Sequence, residues 1–317
     1  MKIMGIKDIL ISNRCWVTAL AISAGMMAWQ PCGAVSQIVI EPLFEYPTAP
    51  EEMTDLQMRS DYLMEHFWDA MDFKRREPVD QNALNDAFSV YATAMPYSSM
   101  KSVNASIDRL VKSLKGNPLL LLQFTKAAEE SLYGPRAGLW SDDAYLPFLK
   151  ALVADKSLPD SRKQRYAMQL DLLKRNAIGA KFPAMRLTLR NARHADFKPD
   201  TELTIVEFGN PDCDDCRFAK TKLDVATDLA EKIDEGKLKI MFVVADAVPD
   251  DQNEILQQFA SMPESWVPGI CYGGDDIYDI RMTPSFYILD RNGKILAKNL
   301  DVARAVEYAR NYFEPSR

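Results

Sequence analysis

The chain has 317 residues, 47% of them hydrophobic and 26% charged, and carries a net charge of −7. That is the composition of a globular protein with room for two domains and a core that needs no disulfide staples. The acidic balance excludes nucleic acid as a partner, because phosphate binding needs a basic face. The basic residues are scattered, and the short run Lys74-Arg75-Arg76 reads as a solvated helix end.

At the amino end Lys2, Lys7 and Arg14 outnumber Asp8, and an uncharged stretch runs from Cys15 to Trp29. Small residues follow in Cys32-Gly33-Ala34 and Ala34-Val35-Ser36. A positive start, a short apolar run and a small-residue exit describe a secretory signal peptide over residues 1–36. The alternatives are an uncleaved anchor and a lipid anchor on Cys32. The run is short for the first, since a spanning helix needs about 20 apolar residues. Trp29-Gln30-Pro31 is a poor lead-in for the second. The expectation is a protein of the periplasm or cell envelope with no membrane span after cleavage. Cleavage leaves Cys213, Cys216 and Cys271, which is a working pair plus one extra thiol and no disulfide framework.

Residues 37–53 read as an extended lead-in containing Pro42, Pro47 and Pro50, and residues 37–178 together as an all-α helical domain. Leu56, Ser60, Leu63, Phe67 and Met71 repeat at helical spacing. So do Leu84, Ala87, Phe88 and Tyr91, and then Val103, Ile107, Leu110, Val111 and Leu114. Asn117 can cap the next helix, Pro118 suits its first turn, and Gly134-Pro135 stops it. Residues 161–178 form another amphipathic run ended by Gly179, for roughly five or six helices in all. His66, next to Phe67 and Trp68, reads as structural.

From Gly179 the pattern is that of an α/β domain over residues 179–317. Residues 185–190 alternate as a half-buried strand, 203–208 form a strand before Gly209-Asn210-Pro211, and 213–233 carry helical spacing. Residues 238–245 are almost continuously apolar, as a buried parallel strand is. A short helix over 254–259 comes next. Strands over 286–289 and 294–297 are joined by a turn containing Asn292-Gly293, and a helix over 302–313 closes the chain. The reading is a small sheet with helices on both faces. The stretch 246–281 reads as an insertion, with Cys271 as a core thiol or a third redox cysteine.

The chemistry falls where the strand ending at Phe208 hands over to the helix beginning near Cys213. Two cysteines at i and i+3 of a helix start can close a small disulfide, the first exposed and the second beneath it. Free N–H groups and the helix dipole favour a thiolate on the first. Exchange then runs through a mixed disulfide, with Cys213 attacking and Cys216 releasing the partner. A zinc site needs four ligands and there is no second cysteine pair, so His194 and Cys271 could complete one only by coincidence of folding. No metal and no cofactor are expected. A structural disulfide remains the bland alternative.

Residues 179–317 resemble the thioredoxin-like superfamily, and within it the periplasmic thiol–disulfide oxidoreductases of the cytochrome-maturation type, which overlap the thiol-specific antioxidant group. Three segments carry the resemblance. Gly179-Ala180-Lys181-Phe182-Pro183-Ala184-Met185 is similar to the domain opening, with Met185 where an aromatic is usual. Phe208 to Cys216 is similar to the active-site loop, with Asp212 in place of the common tryptophan. Met282-Thr283-Pro284-Ser285 through Asp290 is similar to the cis-proline strand. The helical half resembles the amino-terminal domain of unknown function found before such modules in some secreted bacterial proteins.

The resemblance implies an α/β thioredoxin fold preceded by the all-α domain. It also implies a protein disulfide as substrate and an upstream electron donor. Thr283 and a cis Pro284 would bind substrate main chain as an added strand; the alternative is an ordinary trans proline. Glu207 stands where thioredoxins keep a buried carboxylate, able to take the proton of Cys216; the alternative is a solvent-facing glutamate. Asp214 and Asp215 match the helix dipole but disfavour a thiolate beside them, which predicts a reductant. Arg217 offsets part of this or pairs with Asp214. Two rival functions stand beside this one. A thiol peroxidase needs Thr or Ser three residues before the reactive cysteine, where Asn210 stands. A non-catalytic binding protein would act through the helical half.

Overall fold

The helical half begins with α1 (Leu56–His66), α2 (Gln81–Ala94) and α3 (Met100–Ser113), and continues with α4 (Pro118–Leu132), α5 (Asp142–Ala154) and α6 (Asp160–Arg175). The computed structural model describes residues 42–314, and the expected signal peptide lies outside them. Five of these helices open on a short polar side chain that accepts a first-turn N–H: Asp55, Asp80, Ser99, Asn117 and Ser141. Such caps satisfy donors that a helix start leaves free. The helices share one aromatic core built on Trp68, Phe88, Tyr91, Phe124 and Phe148. Ser106, buried in α3, accepts from Tyr91 at 2.8 Å and donates to the Met64 carbonyl.

The face expected for the first helix is buried at Ser60, Phe67 and Met71, with Met64 added to it, and departs from expectation only at its start. Leu56 is 59% exposed and Met64 is 1% exposed. α1 ends at His66, and Phe67 and Met71 enter the core from the turn beyond it. His66 pairs with Asp69 at 2.8 Å on the surface, a structural role.

The second half is a seven-stranded mixed sheet. Its strands are β1 (Arg186–Leu189), β2 (His194–Asp196), β3 (Leu203–Phe208), β4 (Leu238–Val244), β5 (Val267–Ile270), β6 (Ser285–Asp290) and β7 (Ile295–Leu300), in the order β2-β1-β5-β4-β3-β6-β7. β3 runs parallel to β4 and β4 to β5, while β6 is antiparallel to both β3 and β7. The hairpin turn between β6 and β7 is held by Asp290, whose carboxylate accepts from the N–H groups of Asn292 and Lys294 at 2.8 Å, with Gly293 at φ 74°. That left-handed conformation suits glycine.

Three expectations for this half are corrected. The segment 246–281 is not merely an insertion, since it contributes β5 to the interior of the sheet. Pro268 and Gly269 hid this strand, as both residues argue against one. Gly269 leaves room for its neighbour, since a Cβ there would lie 3.1 Å from the Leu187 side chain, tighter than an ordinary contact. The run 213–233 is two helices, α7 (Asp214–Asp224) and α8 (Thr227–Asp234).

Helices also cover one face rather than two. α7, α8 and the closing α10 (Val302–Phe313) pack on Leu203, Ile205, Ile240 and Ile288. α9 (Gln252–Gln258) packs on Phe242 and Val244, which share that face by strand alternation. Right-handed crossovers that step in one direction, β3 to β4 to β5, must land on the same side. Among the described residues the opposite face carries the single 3₁₀ turn Gly274–Asp276 with Ile277, Tyr278 and Phe182.

Candidate active site

β3 delivers the site. Its six residues are all buried and alternate between two cores. Val206 and Phe208 join the face carrying Tyr278 and Tyr287, and Leu203 and Ile205 join the helix-covered face. Glu207, by the same alternation, points to the helix side, opposite Phe242 on β4 and Phe286 on β6. It is 0% exposed, and neither carboxylate oxygen has a hydrogen-bond partner among the described residues. Burial pushes its pKa up to about 8, against a smaller opposing pull from Lys220. The solvent-facing alternative for this glutamate is excluded.

Beyond Phe208 the chain turns through Gly209. A Cβ on Gly209 would lie 2.9 Å from the Phe242 ring and 3.2 Å from the Cys216 sulfur, so the backbone approaches both as only glycine allows. The loop is tied by Cys213 N–H to the Asn210 carbonyl and by Asp212 N–H to the Asn210 side chain, each at 3.0 Å. Gln258, at the end of α9, donates to Asp212 at 2.9 Å.

Cys213 caps α7. Its sulfur accepts the N–H of Cys216 at 3.3 Å, as a serine or aspartate cap would. It is partly exposed, whereas Cys216 is 1% exposed beneath it, and both are free thiols. Burial pushes the Cys216 thiol up to about 12, helped by its bond to Cys213 and by the charge of Glu207. Asp214 pairs with Arg217, which also donates to the Asp212 carbonyl at 3.2 Å, so the pairing alternative for that arginine is the one realised.

The structure therefore brings Cys213, Cys216 and Glu207 together. The Thr283–Pro284 peptide bond is cis. It lies just before Ser285, which pairs in register with Phe208, so this bond and the dithiol loop leave the sheet at the same end. Thr283 is exposed and Pro284 half-buried. Cys271 does not join the group. It sits in the core of the opposite face with Tyr278, its thiol raised by burial. Among the described residues no group of three or more His, Cys, Asp or Glu is placed to hold a metal.

The sequence reading missed a second polar group at this end. Asp279, Arg281 and Lys298 are buried with side-chain exposures of 1%, 2% and 4%, and Asp142 of α5 completes the cluster. Charges scattered over 157 positions give no sequence signal, and each alone reads as surface.

A sheet in which β3 leads into a cysteine-capped helix, with a cis-proline strand beside it, has the fold of the thioredoxin-like superfamily. Residues 23–176 match the family model of a domain of unknown function, DUF5106, which covers the helical half. A solved thioredoxin-like protein from Bacteroides caccae is similar at 23% identity and a TM-score of 0.69, over 84% of this chain and 97% of that one. That span is too long for one half, so the likeness takes in both. The thioredoxin domain of a thiol-disulfide oxidoreductase from Bacteroides vulgatus is 22% identical over 42% of this chain and 97% of its own, with a TM-score of 0.33. A thiol:disulfide interchange protein from a Bacteroides species is 20% identical over 45% and 93%, with a TM-score of 0.36. No curated protein matches the chain. No helix among the described residues is long and apolar enough to cross a membrane.

Proposed function

We propose that this chain is an extracytoplasmic thiol–disulfide oxidoreductase that reduces protein disulfides. The observation that carries the reading is the pairing of a half-exposed cysteine at a helix start with a fully buried one beneath it, beside an unpartnered buried carboxylate.

In the reaction, the Cys213 thiolate attacks one sulfur of a partner disulfide. The new bond is a mixed disulfide, and the partner's other sulfur leaves as a thiolate. Glu207 takes the proton of Cys216. The Cys216 thiolate then attacks the Cys213 sulfur, closing the intramolecular disulfide and releasing the partner's second thiolate. Two electrons pass from the dithiol to the partner, and an upstream donor must return them. Thr283 and Pro284 offer a main-chain edge on which an extended substrate segment pairs as an added strand.

The reading extends to the chain's layout. Residues 1–36 act as a cleaved leader to the periplasm or cell envelope, residues 37–178 form the helical domain and residues 179–317 the redox domain. N-terminal sequencing of the exported protein checks the leader, and a mature end at Cys32 would replace it with a lipid anchor.

The central test is a titration of the mature protein in thiol–disulfide buffers, with Cys213 and Cys216 followed by alkylation and mass. A reversible couple near roughly −270 mV is expected for a reductant. A couple near roughly −120 mV would make the protein an oxidant instead. The absence of any reversible couple would transfer the function to the helical half.

A further inference from the structure

The cis-proline loop is bound at both ends to one buried charge cluster, and one member of that cluster comes from the helical half. Asp279 is the hub. Its carboxylate accepts from Arg281 at 2.9 and 3.3 Å, from Lys298 at 2.5 Å and from the Asn299 amide at 3.0 Å. Asn299 in turn accepts from the Ser285 hydroxyl at 3.2 Å. Residues 279 and 285 are thus joined through one side chain, with Thr283 and Pro284 in the span between them. Asn299 itself adopts φ 52°, a left-handed conformation that asparagine tolerates better than most residues.

The helical half closes the cluster. Asp142, in the first turn of α5, pairs with Arg281 and, at 2.7 Å, with Lys298. The Arg281 guanidinium lies 4.5 Å from the Tyr133 ring centre and 5.8 Å from that of Trp140. Asn176, after α6, donates to the Ile277 carbonyl at 2.9 Å and accepts from the Tyr287 hydroxyl at 3.4 Å. Two carboxylates and two cations balance, so no net charge is left buried. Removing four charges from water is a poor way to gain stability, and apolar packing would do as well. In some proteins such clusters fix one geometry. Here the segment so specified is the loop in which Met282 and Thr283 alone stay exposed between locked neighbours.

We propose that Arg281 is a positioning residue for the substrate-binding loop and that Asp142 makes the helical half part of that device. The helical domain thereby sets the edge on which a polypeptide substrate docks. This rests on the oxidoreductase reading above and assigns a task to the half for which that reading has none.

The test compares two substrates with the same leaving group. One is dithiobis-nitrobenzoate, which has no peptide main chain. The other is a synthetic extended peptide whose single cysteine is a mixed disulfide with nitrothiobenzoate. Both release the same chromophore to the reduced full-length protein. A loop that pairs with main chain matters for the peptide alone. Asp142→Asn is expected to lower the ratio of peptide rate to dye rate by about tenfold, within the usual range of coupling between sites. Asp142→Glu is expected to recover part of it. Arg281→Lys keeps the charge but loses the planar fork and the stacking, so it must lower the same ratio. A general loss of folding would slow both substrates together and leave the ratio standing. A wild-type ratio in Asp142→Asn or in Arg281→Lys overturns the inference while leaving the oxidoreductase reading intact. A wild-type protein that reduces neither substrate removes both.

Discussion

Glu207 and Cys216 share a buried site on the helix-covered side of β3, and the carboxylate bears on the thiol. Burial is the larger cause of the rise of Cys216 to about 12, and the charge of Glu207 adds to it. Glu207 is itself pushed up to about 8 by burial, so near neutrality it is mostly the uncharged acid. A base must be unprotonated to act.

In the proposed reaction, release of the mixed disulfide should therefore speed up as pH rises through about 8, the value of Glu207. Stopped-flow measurement of the second step, with a mixed disulfide preformed on Cys213, reads this directly. Glu207→Gln is expected to lower the rate above pH 8 by about 10²-fold, a usual contribution of a positioned base. It should also remove the inflection of the rate profile near pH 8. A variant with the wild-type profile would remove Glu207 from the mechanism.

The same carboxylate governs stability in the opposite sense from a salt-bridged one. Its folded value, about 8, stands above the ordinary 4.5, so between these pH values the native state holds a proton that the unfolded chain has lost. Stability tied to this group is then complete below pH 4.5 and is lost as pH rises through about 8. The unfolding free energy from urea titration, wild type minus Glu207→Gln, should fall steadily across that window, by several kcal/mol in total, and stay level above it. A difference independent of pH would mean that Glu207 is ionised throughout.

Asp279 behaves as the mirror case. Burial would raise its pKa, but Arg281 and Lys298 outweigh burial and hold it below the ordinary 3.8. Its stabilising contribution is present above that value and is lost as pH falls through the lowered one. Asp279→Asn leaves two buried cations with Asp142 alone, and a broken buried pair costs about 3–5 kcal/mol. Urea unfolding at neutral pH should show that loss, and the gap to wild type should narrow in strong acid.

Much of this was legible in the sequence, and the failures have particular causes. The Cys213–Cys216 pair, its place after a strand, Asn117-Pro118 and the Asn292-Gly293 turn are local signals, set by residues close together in the chain. β5 was not legible, because Val267-Pro268-Gly269-Ile270 breaks strand preference to let Leu187 pack against it. The expected face of α1 fails only at its first residue, because Leu56, though apolar, starts the helix at the surface. The cluster of Asp142, Asp279, Arg281 and Lys298 leaves no trace in sequence at all. Each is an ordinary charged residue, and only the packing of the two halves makes them partners.

Gly209 separates close packing from chemistry at the dithiol. Its φ is unexceptional, so alanine meets no backbone penalty there. The added methyl would instead sit 2.9 Å from the Phe242 ring, which is 1% exposed in the middle of β4. It would also press within 3.2 Å of the Cys216 sulfur. Neither neighbour is the free end of a flexible side chain, so one of them must move. Overpacking of this kind costs about 1–3 kcal/mol, which should appear as a lower urea midpoint with an unchanged slope. If the sulfur is what moves, the intramolecular disulfide changes with it. Gly209→Ala should then shift the Cys213–Cys216 couple, while a stability-matched core variant on the opposite face, such as Leu187→Val, should not. An unshifted couple with reduced stability would show that Phe242 yields and the sulfur stays in place.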